Sequence, residues 1–303
     1  QGWAKNQLQD VLDSVTADDL AAYPDPQPLQ AGIAQWTGLS EDRVLISHGS
    51  SEALRLIFET YLDHSTHTIH LDPTYSLYDL YEMIQGGPVT KVPYSFAHQA
   101  VDSAKTWAHL LKAVASQPGS LVILANPDQP LGTTRSLREV TDLADAAQSA
   151  GSILIIDEAY HFFGSESALP LLSSHPNTLV VRTFSKAFGL AGLRIGYVLS
   201  SASIIRELSA LQLAVPPSGL SLKLALSSIQ RSQDFEERAR EIAEGRDWLD
   251  AGLRSEGIQA LPSKGNFLLI PCPSHDSALR IIQSVGDNGF AIKGPLLVHG
   301  LGE

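Results

Sequence analysis

Short, apolar, β-branched runs alternate with amphipathic segments of helical length through residue 213. The strand-like runs are "RVLISH" (43–48), "HTIHL" (67–71), "VTKVPY" (89–94), "SLVILAN" (120–126), "SILIID" (152–157), "TLVVRTF" (178–184) and "RIGYVLS" (194–200). Helical periodicity lies between them, near 51–63, 75–85, 104–116, 136–150 and 202–213, and several of these segments end at Gly or Pro. Hydrophobicity that is continuous rather than alternating marks strands buried on both faces, and intervening helices mark parallel crossovers. The pattern predicts an α/β protein with a mostly parallel sheet between two helical layers, a three-layer α/β/α domain. After "VPPSG" (215–219) the texture changes to long, charged helical sequence over 231–257, in which alternating signs read as a solvated face with i to i+4 pairing. The short runs "FLLI" (267–270) and "FAI" (290–292) then predict strands of a small α/β domain. The expected division is a large domain over 24–213 and a smaller one over 214–303 together with an N-terminal arm, 1–23.

Composition narrows the classes. With 303 residues, 44% of them hydrophobic, the chain is long enough to bury a sizeable core. A net charge of −12 without any Lys/Arg cluster argues against nucleic acid or an anionic membrane as a partner. The single cysteine, Cys272, excludes an internal disulfide and a multi-cysteine metal site, and fits a reducing compartment. No apolar run reaches the roughly 18 residues of a membrane span, and the first residues lack the order of a signal peptide, so a soluble cytoplasmic protein is expected. His48, His64, His67 and His161 have no carboxylate or cysteine at consistent ligand spacing, and no metal is expected.

In a parallel sheet, ligand sites gather where strands end and helices begin. Gly49 and Ser50 follow the first strand at a helix start, where free N–H groups favour an anion, although Gly and Ser also begin helices merely as caps. Asp157 closes an apolar run in "DEAYHFF", where a carboxylate is expensive to bury without a partner, or else serves as an N-cap. The stretch "TFSKAFGLAGLRIGY" (183–197) holds only two cations, Lys186 and Arg194. A lysine in a nonpolar pocket loses ammonium character by desolvation and becomes a candidate for Schiff-base chemistry, while an arginine offers a planar fork suited to phosphate. Together these residues meet the needs of pyridoxal phosphate: Lys186 for the aldehyde, Asp157 for the protonated pyridine nitrogen, and Arg194 with Ser50, Ser51 and Ser185 for the phosphate.

The chain also resembles the fold-type I, class I/II aminotransferases, and most of all the histidinol-phosphate aminotransferases. "YPDPQ" (23–27), "GSSE" (49–52), "DPTYSLY" (72–78), "NPDQPLG" (126–132), "DEAY" (157–160), "SKAFGLAGLRIGY" (185–197) and "GNFLLI" (265–270) occur in that family's order and approximate spacing. The resemblance implies an aspartate aminotransferase-like fold with a seven-stranded sheet, and an enzyme that moves an amino group between an amino acid or amino alcohol phosphate and a 2-oxo acid. It implies that Lys186 forms the Schiff base and then moves a proton, that Asp157 pairs with the pyridine nitrogen, and that Tyr160 hydrogen-bonds the phenolic oxygen. Tyr75 resembles the aromatic residue that stacks on the ring. Gly49, Ser50, Ser51, Thr183, Ser185 and Arg194 resemble the phosphate cup, and Asn126 and Gln129 belong to the cofactor loop. Tyr23 resembles a tyrosine that reaches the phosphate of a neighbouring subunit, which implies a homodimer with shared sites.

Three departures accompany the resemblance. The family's "NPNNPTG" places an Asn where this chain has Gln129, one methylene longer. At the carboxyl end the family has an "LRI" or "LRV" segment followed by Gly, whose arginine grips the substrate carboxylate, and "GPLLVHGLGE" stops before any such arginine; Lys293 in "GFAIK" aligns with another basic position. An "NENP"-like segment before the first residues is likewise outside this chain, so a more open site is expected. Decarboxylation, as in the similar threonine-phosphate decarboxylases, and a homologue without turnover stand as alternatives.

Overall fold

The computed structural model describes residues 9, 12–97, 100–212, 215–296 and 298. Each of the seven predicted runs contains a strand: β1 (Val44–Ser47), β2 (Thr68–Asp72), β3 (Val89–Pro93), then, after a small hairpin of β4 (Phe96–Ala97) and β5 (Ala100–Val101), β6 (Leu121–Ala125), β7 (Ile153–Asp157), β8 (Thr178–Thr183) and β9 (Gly196–Leu199). The main sheet runs β1-β9-β8-β7-β6-β2-β3. All neighbours are parallel except β9, which lies antiparallel to both β8 and β1.

The helices are α1 (Ala17–Ala21), α2 (Gln27–Thr37), α3 (Gly49–Tyr61), α4 (Leu77–Gln85), α5 (Ser103–Ser116), α6 (Leu137–Ser149), α7 (Ala202–Leu211), α8 (Gly219–Gln230), α9 (Ser232–Ser255) and α10 (His275–Asp287). Successive strand residues point to opposite faces, and the sheet therefore feeds two cores. Val122 and Leu124 of β6 join Leu110 of α5, Leu143 of α6 and Ile33 of α2 on one side. Leu121 and Ile123 join Leu54 and Phe58 of α3 and Leu208 of α7 on the other. This is the three-layer arrangement that the pattern of the sequence predicts. None of the described helices is long and apolar enough to cross a membrane.

The carboxyl-terminal third departs from expectation. "FLLI" and "FAI" form no strand among the described residues: Leu269 accepts one backbone bond from Leu261, at 2.8 Å, and Phe290 and Ile292 lie exposed. Runs of three or four apolar residues without a neighbouring strand have no ladder to join. The charged helix α9 is not wholly a solvated face either. Its buried stripe is Phe235, Ala239 and Arg246, and Arg246 donates from Nη1 to the carbonyls of Gly265 (2.8 Å) and Phe163 (3.3 Å).

The return of β9 between β8 and β1 requires close approach at one residue. Gly196 pairs with Ser47 and Thr183, and a Cβ built on it would fall 2.4 Å from the Gly49 carbonyl carbon and 2.5 Å from the Ser50 nitrogen. These are backbone atoms of the first turn of α3 and have no rotamer by which to escape. Gly196→Ala is therefore expected to lower stability by about 2–3 kcal/mol, the scale of overpacking in a rigid site. Urea unfolding of the variant beside wild type measures it, and an unchanged midpoint would show that α3 can shift.

Candidate active site

Because β1, β2, β6, β7 and β8 are parallel, their carboxyl ends lie along one edge of the sheet, and β9, running the other way, begins there. A cleft at this edge is lined by Ser50, Tyr75, Ala125, Pro127, Gln129, Asp157, Ala159, Tyr160 and Lys186. Six of the residues singled out from the sequence thus meet in one place: Ser50, Tyr75, Gln129, Asp157, Tyr160 and Lys186.

Asp157 ends the central strand β7 and is buried. Its Oδ2 accepts from the Tyr78 hydroxyl at 2.8 Å and its Oδ1 from the Ala159 N–H at 3.0 Å. Burial raises its carboxyl above the ordinary range against these two donors, and the Glu158 charge adds to the rise. Glu158 itself turns away into a buried pair, its Oε2 accepting from Arg182 Nε at 2.9 Å. Tyr160 presents its ring to Lys186, with Nζ 5.1 Å from the centroid, and Phe267 packs edge-on against the far side at 5.3 Å. Burial, with the Asp157 charge second, pushes the Tyr160 phenol up to about 12.

The cationic side is built differently. Lys186 is exposed, contrary to the nonpolar pocket expected for it. The apolar character of its neighbourhood belongs to Phe184, Ala187 and Phe188, which point into the core while Lys186 points out. Arg194 is exposed as well and adopts φ 55°, ψ 47°, the only non-glycine left-handed residue among those described. That conformation costs about 1–2 kcal/mol for an L-residue. It carries the guanidinium over the start of α3, where a Cβ on Gly49 would lie 2.7 Å from Nη2. Nη1 donates to Ser185 Oγ (3.4 Å) and the Ala191 carbonyl (3.2 Å). Ser185 N–H donates to Thr183 Oγ1 at 3.1 Å, which holds the turn after β8. The N-cap residue of α3, His48, supplies no side-chain cap, so the helix presents its first-turn N–H groups towards the same space.

Other expected residues lie elsewhere. The side chain of Asn126 clasps Arg135, accepting from its N–H at 2.8 Å and donating to its carbonyl at 3.2 Å; it is spent on closing the loop rather than facing the cleft. The Ser51 carbonyl accepts from Tyr81 at 2.9 Å. Tyr23 is 89% exposed, and Lys293 is exposed. His161 packs on Phe162 with ring centroids 3.8 Å apart, and burial with the Arg182 charge drives its pKa well below the ordinary value. The sequence reading missed Tyr78. Its signal was present: Tyr75 and Tyr78 are spaced by about one helical turn, and a buried Asp157 demands a donor.

The loop carrying Gln129 is organised by Asp128, buried one residue earlier. Its carboxylate accepts from Gly132 N–H (2.7 Å), Thr133 N–H (3.2 Å), Thr133 Oγ1 (3.1 Å) and the Tyr94 hydroxyl.

Comparison with known proteins agrees with this geometry. Residues 2–293 match the family described as aminotransferase class I and II. The chain belongs to the class I and II aminotransferases. It is 34% identical over 272 residues to histidinol-phosphate aminotransferase 2 of Thiobacillus denitrificans, covering 88% of this chain and 73% of that protein. The crystal structure of histidinol-phosphate aminotransferase from Sinorhizobium meliloti, in complex with pyridoxal 5'-phosphate, superposes with a TM-score of 0.86 at 28% identity, over 99% of this chain and 81% of that one. A tetra mutant of aspartate aminotransferase from Thermus thermophilus shares the fold, with a TM-score of 0.80 at 22% identity over 95% and 84% of the two chains.

Asp128 generates a pH prediction. Burial pushes its carboxyl up to about 6 despite the four donors. A carboxyl whose folded value is raised binds more protons folded than unfolded between about pH 4 and 6, so stability falls as pH rises through that window. Asp128→Asn keeps two acceptor contacts at Oδ1 and can donate to Tyr94 and Thr133. The variant is expected to show a shallower loss of stability from pH 4 to 6, by about 3 kcal/mol at most. Urea titrations of both proteins at pH 4, 5, 6 and 7 decide it, and parallel curves would refute it.

Proposed function

We propose that the protein is a pyridoxal-phosphate-dependent aminotransferase that moves an amino group between an amino alcohol phosphate of the histidinol-phosphate type, or an amino acid, and a 2-oxo acid. The observation that carries this reading is the convergence at one sheet edge of Lys186, the Tyr78-held carboxylate of Asp157, and Arg194 over the uncapped start of α3. The residues fit the cofactor. Gly49, whose missing side chain lets the Arg194 guanidinium come over the start of α3, sets that guanidinium beside first-turn backbone N–H groups, a pairing that suits a phosphate. A raised, buried carboxyl suits a cationic N–H partner, which would return it to its charged form. Lys186 would hold the aldehyde, Asp157 the ring nitrogen, and Arg194, Ser185, Thr183 and the Gly49–Ser51 turn the phosphate. Tyr75 and Tyr160, which line the cleft, would flank the ring, with Gln129 beside it and Asn126 holding the loop.

When bound, pyridoxal phosphate supplies an aldehyde for the amino group and a ring that accepts the electrons left at the substrate Cα. The protein does the rest. The Lys186 amine, free once substrate is seated, would take the proton from Cα and deliver it to C4′, the former aldehyde carbon on the other side of the nitrogen. Its exposed four-carbon stem can swing between the two positions. Tyr78 and the Ala159 N–H hold the Asp157 carboxylate, which would meet the ring nitrogen, and Tyr160, whose phenol stays protonated at neutral pH, would offer a hydrogen bond to the phenolic oxygen.

A homodimer belongs to this reading. Tyr23, the exposed Gly189 and the exposed Ala191–Gly192 pair beside Arg194 support it, because a second copy would cover the open side of the cleft. The division into a cofactor-binding domain over 24–213 and a smaller unit over 214–303 with 1–23, and a cytoplasmic setting, belong to it too.

The visible absorption spectrum with added pyridoxal phosphate tests the reading. Wild type is expected to give a band that Lys186→Ala lacks, and histidinol phosphate is expected to bleach it, with amino acid formed from 2-oxoglutarate as a representative acceptor. Release of carbon dioxide instead would point to decarboxylation, and identical spectra for both proteins would remove the cofactor. Tyr78→Phe, which strips one donor from Asp157 at nearly constant volume, is expected to bind the cofactor about tenfold more weakly, on the scale of a hydrogen bond to a charged group. Titration of the band at pH 7 measures it.

A further inference from the structure

The buried face of α4 is unusual. Of its nine residues, Tyr78 and Glu82 are buried, one turn apart, while Leu80, Met83 and Ile84 are exposed. An amphipathic helix ordinarily turns an apolar stripe to the core; this one is seated through a phenol and a carboxylate. The phenol meets Asp157. The carboxylate meets His70 of β2, with Glu82 Oε1 3.1 Å from His70 Nε2 and both side chains almost fully buried.

The protonation of this contact follows from its partners. His70 Nδ1 lies 2.8 Å from the Leu71 carbonyl, which only accepts, so Nδ1 carries a hydrogen. In a neutral imidazole Nε2 would then be a bare lone pair facing a carboxylate oxygen. Neither atom has a hydrogen-bond partner among the described residues, and the 3.1 Å contact between them is an ion-pair contact rather than an aligned hydrogen bond. Two buried acceptors at that distance repel, and a proton on Nε2 turns the repulsion into the attraction of a buried ion pair. The other groups nearby leave room for one positive charge. From α4 come Asp79 and the Tyr78 ring, edge-on to His70 at 6.2 Å; from β3 comes Lys91, with Nζ 2.6 Å from Asp79 Oδ1; Asp72 of β2 acts on Lys91. Ligand-type atoms of His70, Asp79 and Glu82 lie within 4.8 Å of one another, a spacing a divalent cation could use. Lys91 already neutralises Asp79, which leaves the single charge of Glu82 for an imidazolium to match. Burial disfavours the imidazolium, but the Glu82 hydrogen bond and charge, with the Leu71 carbonyl and Asp79, outweigh it and raise His70 above its ordinary value.

We infer that His70 and Glu82 are positioning residues for the reaction centre: as a buried imidazolium–carboxylate pair they fix the rotation of α4 on the sheet, so that Tyr78, one turn back, aims the Asp157 carboxylate into the cleft. The inference rests on Asp157 being the partner of the cofactor ring. Because the folded value of His70 is raised, the contribution of the pair is complete below about pH 6.5 and is lost as pH rises through that raised value. Glu82→Gln replaces the pair by an amide that donates to a neutral Nε2, keeping the contact and removing this pH dependence.

The test compares wild type, Glu82→Gln, Glu82→Leu and His70→Leu. Pyridoxal phosphate affinity is read from the visible band between pH 6 and 9, circular dichroism reports folding, and the ¹⁵N-histidine NMR spectrum of the apoprotein reports the protons on His70. The leucine variants are expected to bind about tenfold more weakly at pH 7. Glu82→Gln is expected to stay within about twofold of wild type and to lose less affinity than wild type as pH rises. His70 is expected to carry protons on both nitrogens at pH 6. Folded leucine variants with wild-type affinity would overturn the positioning role, and should those variants fail to fold, parallel pH profiles for wild type and Glu82→Gln would do the same. A bare Nε2 at pH 6 would overturn the imidazolium, as would a zinc ion that survives gel filtration and shifts the His70 signals. If wild type shows no band, the cofactor reading and the positioning role fall together, while the NMR spectrum still decides the pair.

Discussion

A carboxylate at the end of a central strand has to be satisfied where water does not reach it, and Asp157 is in that position. Left unpaired it would cost several kcal/mol, and two donors of its own chain, the Tyr78 hydroxyl and the Ala159 N–H, meet only part of the demand. Its raised carboxyl value expresses the remainder. The strand order turns that local need into a site. β7 lies between β6 and β8, so the loop bearing Gln129 and the turn bearing Lys186 emerge on either side of Asp157, and the segment after β2 brings Tyr75 and Tyr78 across the same edge.

A wholly parallel sheet would have sent the chain away after β8. Instead it reverses within residues 184–195 and returns as β9, so the first residues of β9 stand among the last residues of its neighbours. Arg194 is placed by that reversal, in a left-handed conformation that no side-chain preference would choose. Gly196 then lets β9 pass close beneath the first turn of α3. The cationic character of the edge is thus a product of topology, one antiparallel strand bringing a guanidinium to a helix start that has no side-chain cap of its own.

How much of this could be read from the sequence depended on whether a residue's neighbours in the chain are also its neighbours in space. The seven strands were legible because burial on both faces makes each a continuous apolar run. Asp157 was legible because it closes an apolar strand, Lys186 and Arg194 because they are the only cations of an apolar stretch, and Tyr75 and Gln129 through the resemblance of their motifs. Tyr78 was not, since an aromatic residue one turn into a helix reads as core, and only the fold reveals the carboxylate 79 positions away that it serves. The exposure of Lys186 was hidden because Phe184, Ala187 and Phe188 share its stretch of sequence but not its direction. The strands expected at 267–270 and 290–292 failed for want of partners. Arg246 was taken for part of a solvated face because its acceptors, two backbone carbonyls, leave no mark in a sequence.

The two halves of the site differ in rigidity for a chemical reason. The acidic half is set in the sheet: Asp157 is held by Tyr78, Glu158 is locked to Arg182, and α4 is anchored by His70 and Glu82. The basic half, Lys186 and Arg194, stands on exposed loop with few contacts. A group that stabilises a fixed positive charge gains from being immobile, since any freedom weakens its field at the one atom that matters. A lysine that would hold a carbonyl, release it to substrate and then carry a proton between two carbons on either side of a nitrogen gains from a long stem and an open side. On the proposed reading, rigid acid and free base are parts of one mechanism, and the contacts that secure α4 would serve the reaction by keeping the rigid half from drifting.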